Sequence, residues 1–184
     1  QDENLSESQA HQLDLVGQSA RRMARLNQSL LLLSKIENNQ FAEKQQVPLK
    51  PLIEKKLAWL EDFIAEKQLV VETDLTEKTL HINPFLAETL GSNLLTNAVK
   101  HNLPGGRLRV FLDGECLLVE NTAVAPGVPV ENLRARFARG NGSSEGLGLG
   151  LAMVWEICEQ EGFGLEMVFE EGFWGTKIKF ALPL

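Results

Sequence analysis

The sequence predicts an α+β protein in which a long N-terminal helix precedes a mixed, mostly antiparallel sheet layered against helices. Three observations carry this reading. Residues 5–41 contain no Pro and a single Gly, Gly17. Beyond residue 44, short alternating segments interleave with segments of helical period. Two of the alternating segments are joined through Asp113-Gly114, a hairpin turn signal. A chain of 184 residues, 43% hydrophobic and 23% charged, suits a soluble domain with an appended element.

Each element follows in order. Within 5–41, Leu13, Val16, Ala20, Met23, Leu30 and Leu33 recur at threes, fours and a seven, the stripe of an amphipathic helix. At 1.5 Å per residue it is about 50 Å long, more than one domain needs. Asn27 falls on the stripe, where a polar residue more often fixes pairing register than performs chemistry. Val47-Pro48-Leu49-Lys50-Pro51 reads as a boundary, dividing the chain into 1–43 and 44–184. Residues 52–67 then read as helix, 69–74 and 79–82 as strands, and Pro84 opens a helix over 85–101. Leu103-Pro104-Gly105-Gly106 is a turn. Strands follow at 107–112 and 116–120, then a polar Pro- and Gly-rich loop over 123–145 with a short helical piece near 131–137. A helix over 149–162 and strands over 164–169 and 176–182 close the chain.

Several functions are disfavoured at once. A net charge of −7 argues against a nucleic-acid partner. No apolar run approaches the roughly 18–20 residues of a membrane span. Cys116 and Cys158 lie far apart with no metal spacing and read as buried free thiols in a reducing compartment. The alternating Gly146, Leu147, Gly148, Leu149, Gly150 lacks the Lys-Ser/Thr of a Walker loop, and its sixth position is Leu151 where a dinucleotide fingerprint needs Gly. What remains is a run of small residues before a helix whose first N–H groups can meet an anion. On this run alone, a plain flexible loop is the favoured reading.

The helix over 85–101 weights the choice. Leu86, Leu90, Leu94, Leu95, Ala98 and Val99 make most of its circumference apolar, yet Asn93 and Asn97 are four apart with Lys100 and His101 one turn on. Either asparagine alone reads as an amide satisfied by backbone or water. Two amides, a lysine and an imidazole on one strip of a mostly buried helix point to a polar ligand. An amide oxygen is a hard ligand of the kind Mg²⁺ takes beside water and phosphate, and a lysine answers phosphate charge.

These segments resemble a known family. "NLLTNAVKHN" (93–102) looks like the N box of sensor histidine kinases, and "EGLGLGLAMV" (145–154) like their glycine-rich box. "LRARFARGN" (133–141) resembles their F box, and "WGTKIKFALPL" (174–184) their last strand. "SARRMARLNQSLLLLSKIENNQF" (19–41) is similar to the second helix of their dimerisation hairpin. The resemblance implies a two-layer α/β sandwich of GHKL ATP-binding type, with ATP and Mg²⁺ as ligands. It implies Asn97 on Mg²⁺, Asn93 beside the triphosphate, Lys100 on phosphate and His101 packed near the nucleotide. Arg136 and Arg139 become candidates for phosphate contact or for docking the hairpin, and Gly146, Leu147, Gly148 and Gly150 the lid that closes on the phosphates. It further implies a homodimer through the N-terminal helix, a response regulator as partner, and the cytoplasmic part of a membrane-anchored bacterial sensor.

The sequence also departs from the family. The adenine-reading Asp of the D-x-G-x-G pattern is matched by Asn121, with Ala123 and Ala125 for the glycines, or with Gly127 as the second glycine through a two-residue insertion. An amide oxygen still accepts from an adenine amino group, without the added strength of charge. None of His11, His81 and His101 precedes an H-box string, so the phosphoacceptor and first hairpin helix are expected to lie outside this sequence, a piece of something longer. Asn93 stands where GHKL ATPases and serine kinases usually carry a glutamate base, and an amide cannot take a proton at neutral pH. Transfer to a nucleophilic imidazole needs mainly positioning and charge neutralisation. The expectation is therefore a histidine kinase, ahead of a non-catalytic GHKL-fold regulatory module with a decayed pocket, and of a GHKL serine kinase or ATPase.

Overall fold

The computed structural model describes residues 7–125 and 149–180. Helix α1 runs Glu7–Glu37, followed by β1 (Gln45–Pro48), α2 (Leu49–Trp59), α3 (Glu61–Glu66), β2 (Val70–Leu75), β3 (Thr79–Ile82) and α4 (Pro84–Lys100). Then come β4 (Arg107–Leu112), β5 (Cys116–Thr122), α5 (Gly150–Glu161), β6 (Gly164–Glu170) and β7 (Phe173–Lys179). Five strands form one sheet in the order β2-β4-β5-β7-β6, and β1 pairs antiparallel with β3 beside it. Only the β2–β4 ladder of the large sheet is parallel. The expected two-layer, mostly antiparallel architecture is therefore present.

Strand alternation decides which face is buried. Leu108, Val110 and Leu112 of β4 and Leu117 and Val119 of β5 are all buried, and they form one core with Leu86, Leu90, Leu94 and Leu95 of α4 and Val154 and Ile157 of α5. The opposite face is polar: Arg109 meets Glu72 at 3.1 Å and lies 4.2 Å above the Phe173 ring. Asn83 starts α4, accepting from Phe85 N at 2.9 Å while Pro84 occupies the first turn, where no donor is needed. Mid-helix Gly91 has a packing reason. A methyl there would come within 2.8 Å of the Leu52 side chain, so the glycine admits α2.

The segment around Pro48 is a strand running into a helix: Pro48 ends β1, and Pro51 sits in the first turn of α2, where its missing N–H costs nothing. Two expectations give way. The single helix expected over 52–67 breaks at Leu60, which leaves helical geometry at φ −90°, ψ 1° while its side chain is buried. Strand β7 begins three residues earlier than expected, pairing through Phe173, Trp174 and Gly175. Cys116 and Cys158 are free and buried, as expected, and burial pushes the Cys158 thiol up to about 12.

The α1 stripe divides in two. Leu33 is buried with Leu149 and with Ala152 and Met153 of α5, flanked by Leu26 and Leu30. Farther up, Leu13, Val16 and Met23 are 56, 65 and 72% exposed. Among the described residues no helix is long and apolar enough to cross a membrane.

Candidate functional site

The apolar residues of α4 commit most of its surface to the core and leave one half-buried strip bearing Asn93, Asn97 and Lys100. Asn93 Nδ2 donates to the Thr89 carbonyl at 2.9 Å and lies 3.9 Å from the Met153 sulfur. The Asn97 amide makes no hydrogen bond among the described residues, although its main-chain carbonyl accepts from His101 N at 2.9 Å. A half-buried amide without a protein partner is costly unless water or a ligand meets it.

Gly150 faces this pair as the first residue of α5. A methyl group there would stand 3.0 Å from Asn93 Oδ1, 3.4 Å from Asn97 Nδ2 and 3.6 Å from Asn97 Oδ1. More than fifty residues apart in sequence, the two candidate segments thus approach so closely that a side chain at 150 would touch both amides. Among the described residues no side chain caps α5, so its leading N–H groups and the positive end of its dipole open beside the amides. Leu149, 2% exposed, anchors this end against Leu33 and Met153. Sequence reasoning missed Met153 as a neighbour of Asn93, since one apolar residue in a helix carries no sign of the amide it meets.

The strip continues past the end of α4. His101 is exposed, yet partial loss of water around its ring, and then the ammonium groups of Lys100 and Lys67, hold its imidazole below the ordinary histidine range. Asn121 lies on β5 opposite Leu108 and Trp174, on the helix-facing side with Leu117 and Val119, and is 3% exposed. Its Nδ2 donates to Thr122 O at 3.2 Å and reaches His101 O at 3.5 Å. Both donors are spent on main-chain carbonyls, so Oδ1 is the acceptor that this side chain offers.

From Asn93 to His101 the strip is about 12 Å long, eight residues at helical rise, and Asn121 joins at its far end. An elongated polar ligand suits that shape. Among the described residues no three His, Cys, Asp or Glu side chains converge as a metal cluster. An ion here would depend on the amide oxygen of Asn97 and on oxygens the ligand brings. Arg136, Arg139, Gly146, Leu147 and Gly148, with the helical piece over 131–137 and the alternative Gly127, lie outside the described residues. His11 and His81 are exposed, on α1 and β3.

Comparison with known proteins gives the family and the fold. A family model described as "Histidine kinase-, DNA gyrase B-, and HSP90-like ATPase" matches residues 83–184. The heme sensor protein HssS of Staphylococcus saprophyticus is 32% identical over 145 residues, covering 75% of this chain and 31% of that protein. The chain spans about a third of the length of the curated relatives it matches. Among solved structures, the Acinetobacter baumannii histidine kinase AdeS superposes with a TM-score of 0.75 at 23% identity, over 97% of this chain and 86% of that one. Full-length ShkA in complex with AMPPNP gives 0.70 at 18% identity, over 98% of this chain and 40% of that one.

Proposed function

We propose, for a chain that belongs to the family of histidine kinase-, DNA gyrase B- and HSP90-like ATPases, that it is the ATP-binding kinase part of a two-component sensor histidine kinase. The observation that carries this is the approach of Gly150 to the amides of Asn93 and Asn97, close enough that any side chain at 150 would touch both. It joins a hard oxygen with no hydrogen bond among the described residues, a helix N-terminus and a glycine too close to the amides for a side chain. The phosphates of ATP would lie there, with Lys100 supplying positive charge. Arg136 and Arg139 would add to that charge or dock the hairpin, and Gly146, Leu147 and Gly148 would close over it.

Asn97 Oδ1 is the protein oxygen offered to Mg²⁺, whose charge would neutralise phosphate oxygens when bound. Asn93 holds its amide against Thr89 O and so presents Oδ1 toward Gly150. Neither amide takes a proton, so the site positions a phosphoryl group and activates no water. Asn121 Oδ1 reads the adenine amino group, and His101 packs beside the nucleotide. The γ-phosphate then passes to a histidine outside this sequence, and from there to a response regulator.

The exposed half of the α1 stripe supports a homodimer through residues 1–43, with 44–184 as the nucleotide-binding domain. The whole belongs to the cytoplasmic side of a membrane-anchored sensor. The test uses γ-labelled ATP. This chain alone should retain no acid-labile phosphate, while a supplied dimerisation hairpin from the same sensor, bearing its H-box histidine, should acquire it. Labelling of His11, His81 or His101 contradicts the proposal.

A further inference from the structure

Lys67, immediately after α3, lies well before the strip in sequence, yet its side chain ends on the strip's last turn. An ammonium has three hydrogens, and three carbonyls receive them: Val99 O at 3.1 Å, Lys100 O at 2.6 Å and Asn102 O at 3.2 Å. The main-chain carbonyl of Lys67 accepts from Gly105 N at 2.8 Å. One residue thus grips both the end of α4 and the turn that follows it.

The last carbonyls of a helix have no partner within it and carry the negative end of its dipole. A half-buried cation placed there satisfies the carbonyls and gains from the dipole. Helix ends otherwise fray, and fraying here would fall on Lys100 and His101. It would also reach Asn121, whose amide meets the His101 carbonyl at 3.5 Å.

We infer that Lys67 is a positioning residue for the nucleotide site: through three main-chain carbonyls it fixes the turn carrying Lys100 and His101, and through His101 O the base-reading amide of Asn121. This rests on the ATP-binding reading above. Phosphate and base recognition then share one support outside the pocket. A residue that only strengthens the end of α4 would affect melting and leave affinity alone.

Lys67→Met keeps the aliphatic stem and removes all three donors, while Lys67→Arg returns charge and donors. The wild type and both variants are titrated with Mg-ATP and with adenosine by calorimetry, at a temperature where circular dichroism shows each chain folded. The inference predicts about tenfold weaker binding of both ligands to Lys67→Met, the scale of loss seen when groups orienting ligand-bearing residues are removed, and recovery in Lys67→Arg. If Lys67→Met does not fold, Lys67→Gln, which has no charge, a shorter reach and only two donors for the three carbonyls, takes its place with the same expectation. Wild-type affinity in a folded Lys67→Met or Lys67→Gln, despite a lower Tm, overturns the inference while wild-type binding preserves the ATP reading. A wild type that binds neither ligand overturns both.

Discussion

Gly150 and Asn93 are so close that a methyl group on the glycine would lie 3.0 Å from the asparagine Oδ1. That separation is tighter than ordinary carbon–oxygen contact. Gly150→Ala should therefore push the Asn93 amide, and the Asn97 amide 3.4 Å away, out of their present positions. Alanine is the better helix former by up to about 1 kcal/mol, so the melting temperature should change little. Nucleotide affinity should fall by roughly tenfold, about 1.4 kcal/mol. Equal affinity in wild type and variant would show that the contact has no part in binding.

Asn121 is buried, with its amide directed at the carbonyls of Thr122 and His101. Restoring the acid that the family resemblance leads one to expect should therefore harm the fold. Asn121→Asp sets a carboxylate oxygen against two carbonyl oxygens and should cost about 1–3 kcal/mol at pH 7. Urea denaturation of the two chains measures this. Unchanged stability would mean that the amide donors contribute nothing here.

The imidazole of His101 is held below its ordinary range, so between its folded value and about 6.5 the unfolded chain binds the extra proton. Unfolding free energy attributable to this group should rise with pH across that window and level off above it. Comparing His101→Gln with wild type in urea melts from about pH 5 to 8 isolates the contribution. Parallel pH curves for the two chains would contradict the assignment.

Leu13, Val16 and Met23 leave an apolar stripe on α1 that the described residues do not cover. We expect a dimer by light scattering at tens of micromolar protein, roughly the range where specific contacts hold. Met23→Glu should drive it toward monomer, because a charge buried in that seam lacks a partner. A wild-type monomer would refute association through this helix.

The sheet and the polar strip were legible because each depends on periodicity within one segment. Six apolar residues of α4 assign its buried face, and Asn93, Asn97 and Lys100 are among the polar residues left off it. Strand β1 is harder, since Gln45–Pro48 buries only Val47 and is defined by its pairing with β3. The break at Leu60 carries no Gly or Pro and arises from a leucine turning into the core. Lys67 is illegible for a different reason: its partners are main-chain carbonyls, which look alike at every position of a sequence. Contacts such as Met153 with Asn93 or Leu33 with Leu149 depend on how whole helices cross.

The central claim is that Asn97 presents an oxygen, unpartnered among the described residues, to the ion that accompanies ATP. Calorimetric titration of wild type and Asn97→Ala with ATP, each with and without Mg²⁺, tests it most directly. We predict that Mg²⁺ strengthens ATP binding to wild type, and that Asn97→Ala loses this dependence while melting at nearly the same temperature, because the side chain has no hydrogen bond to lose among the described residues. Wild-type Mg-ATP affinity in Asn97→Ala, combined with a lowered Tm, would contradict the account.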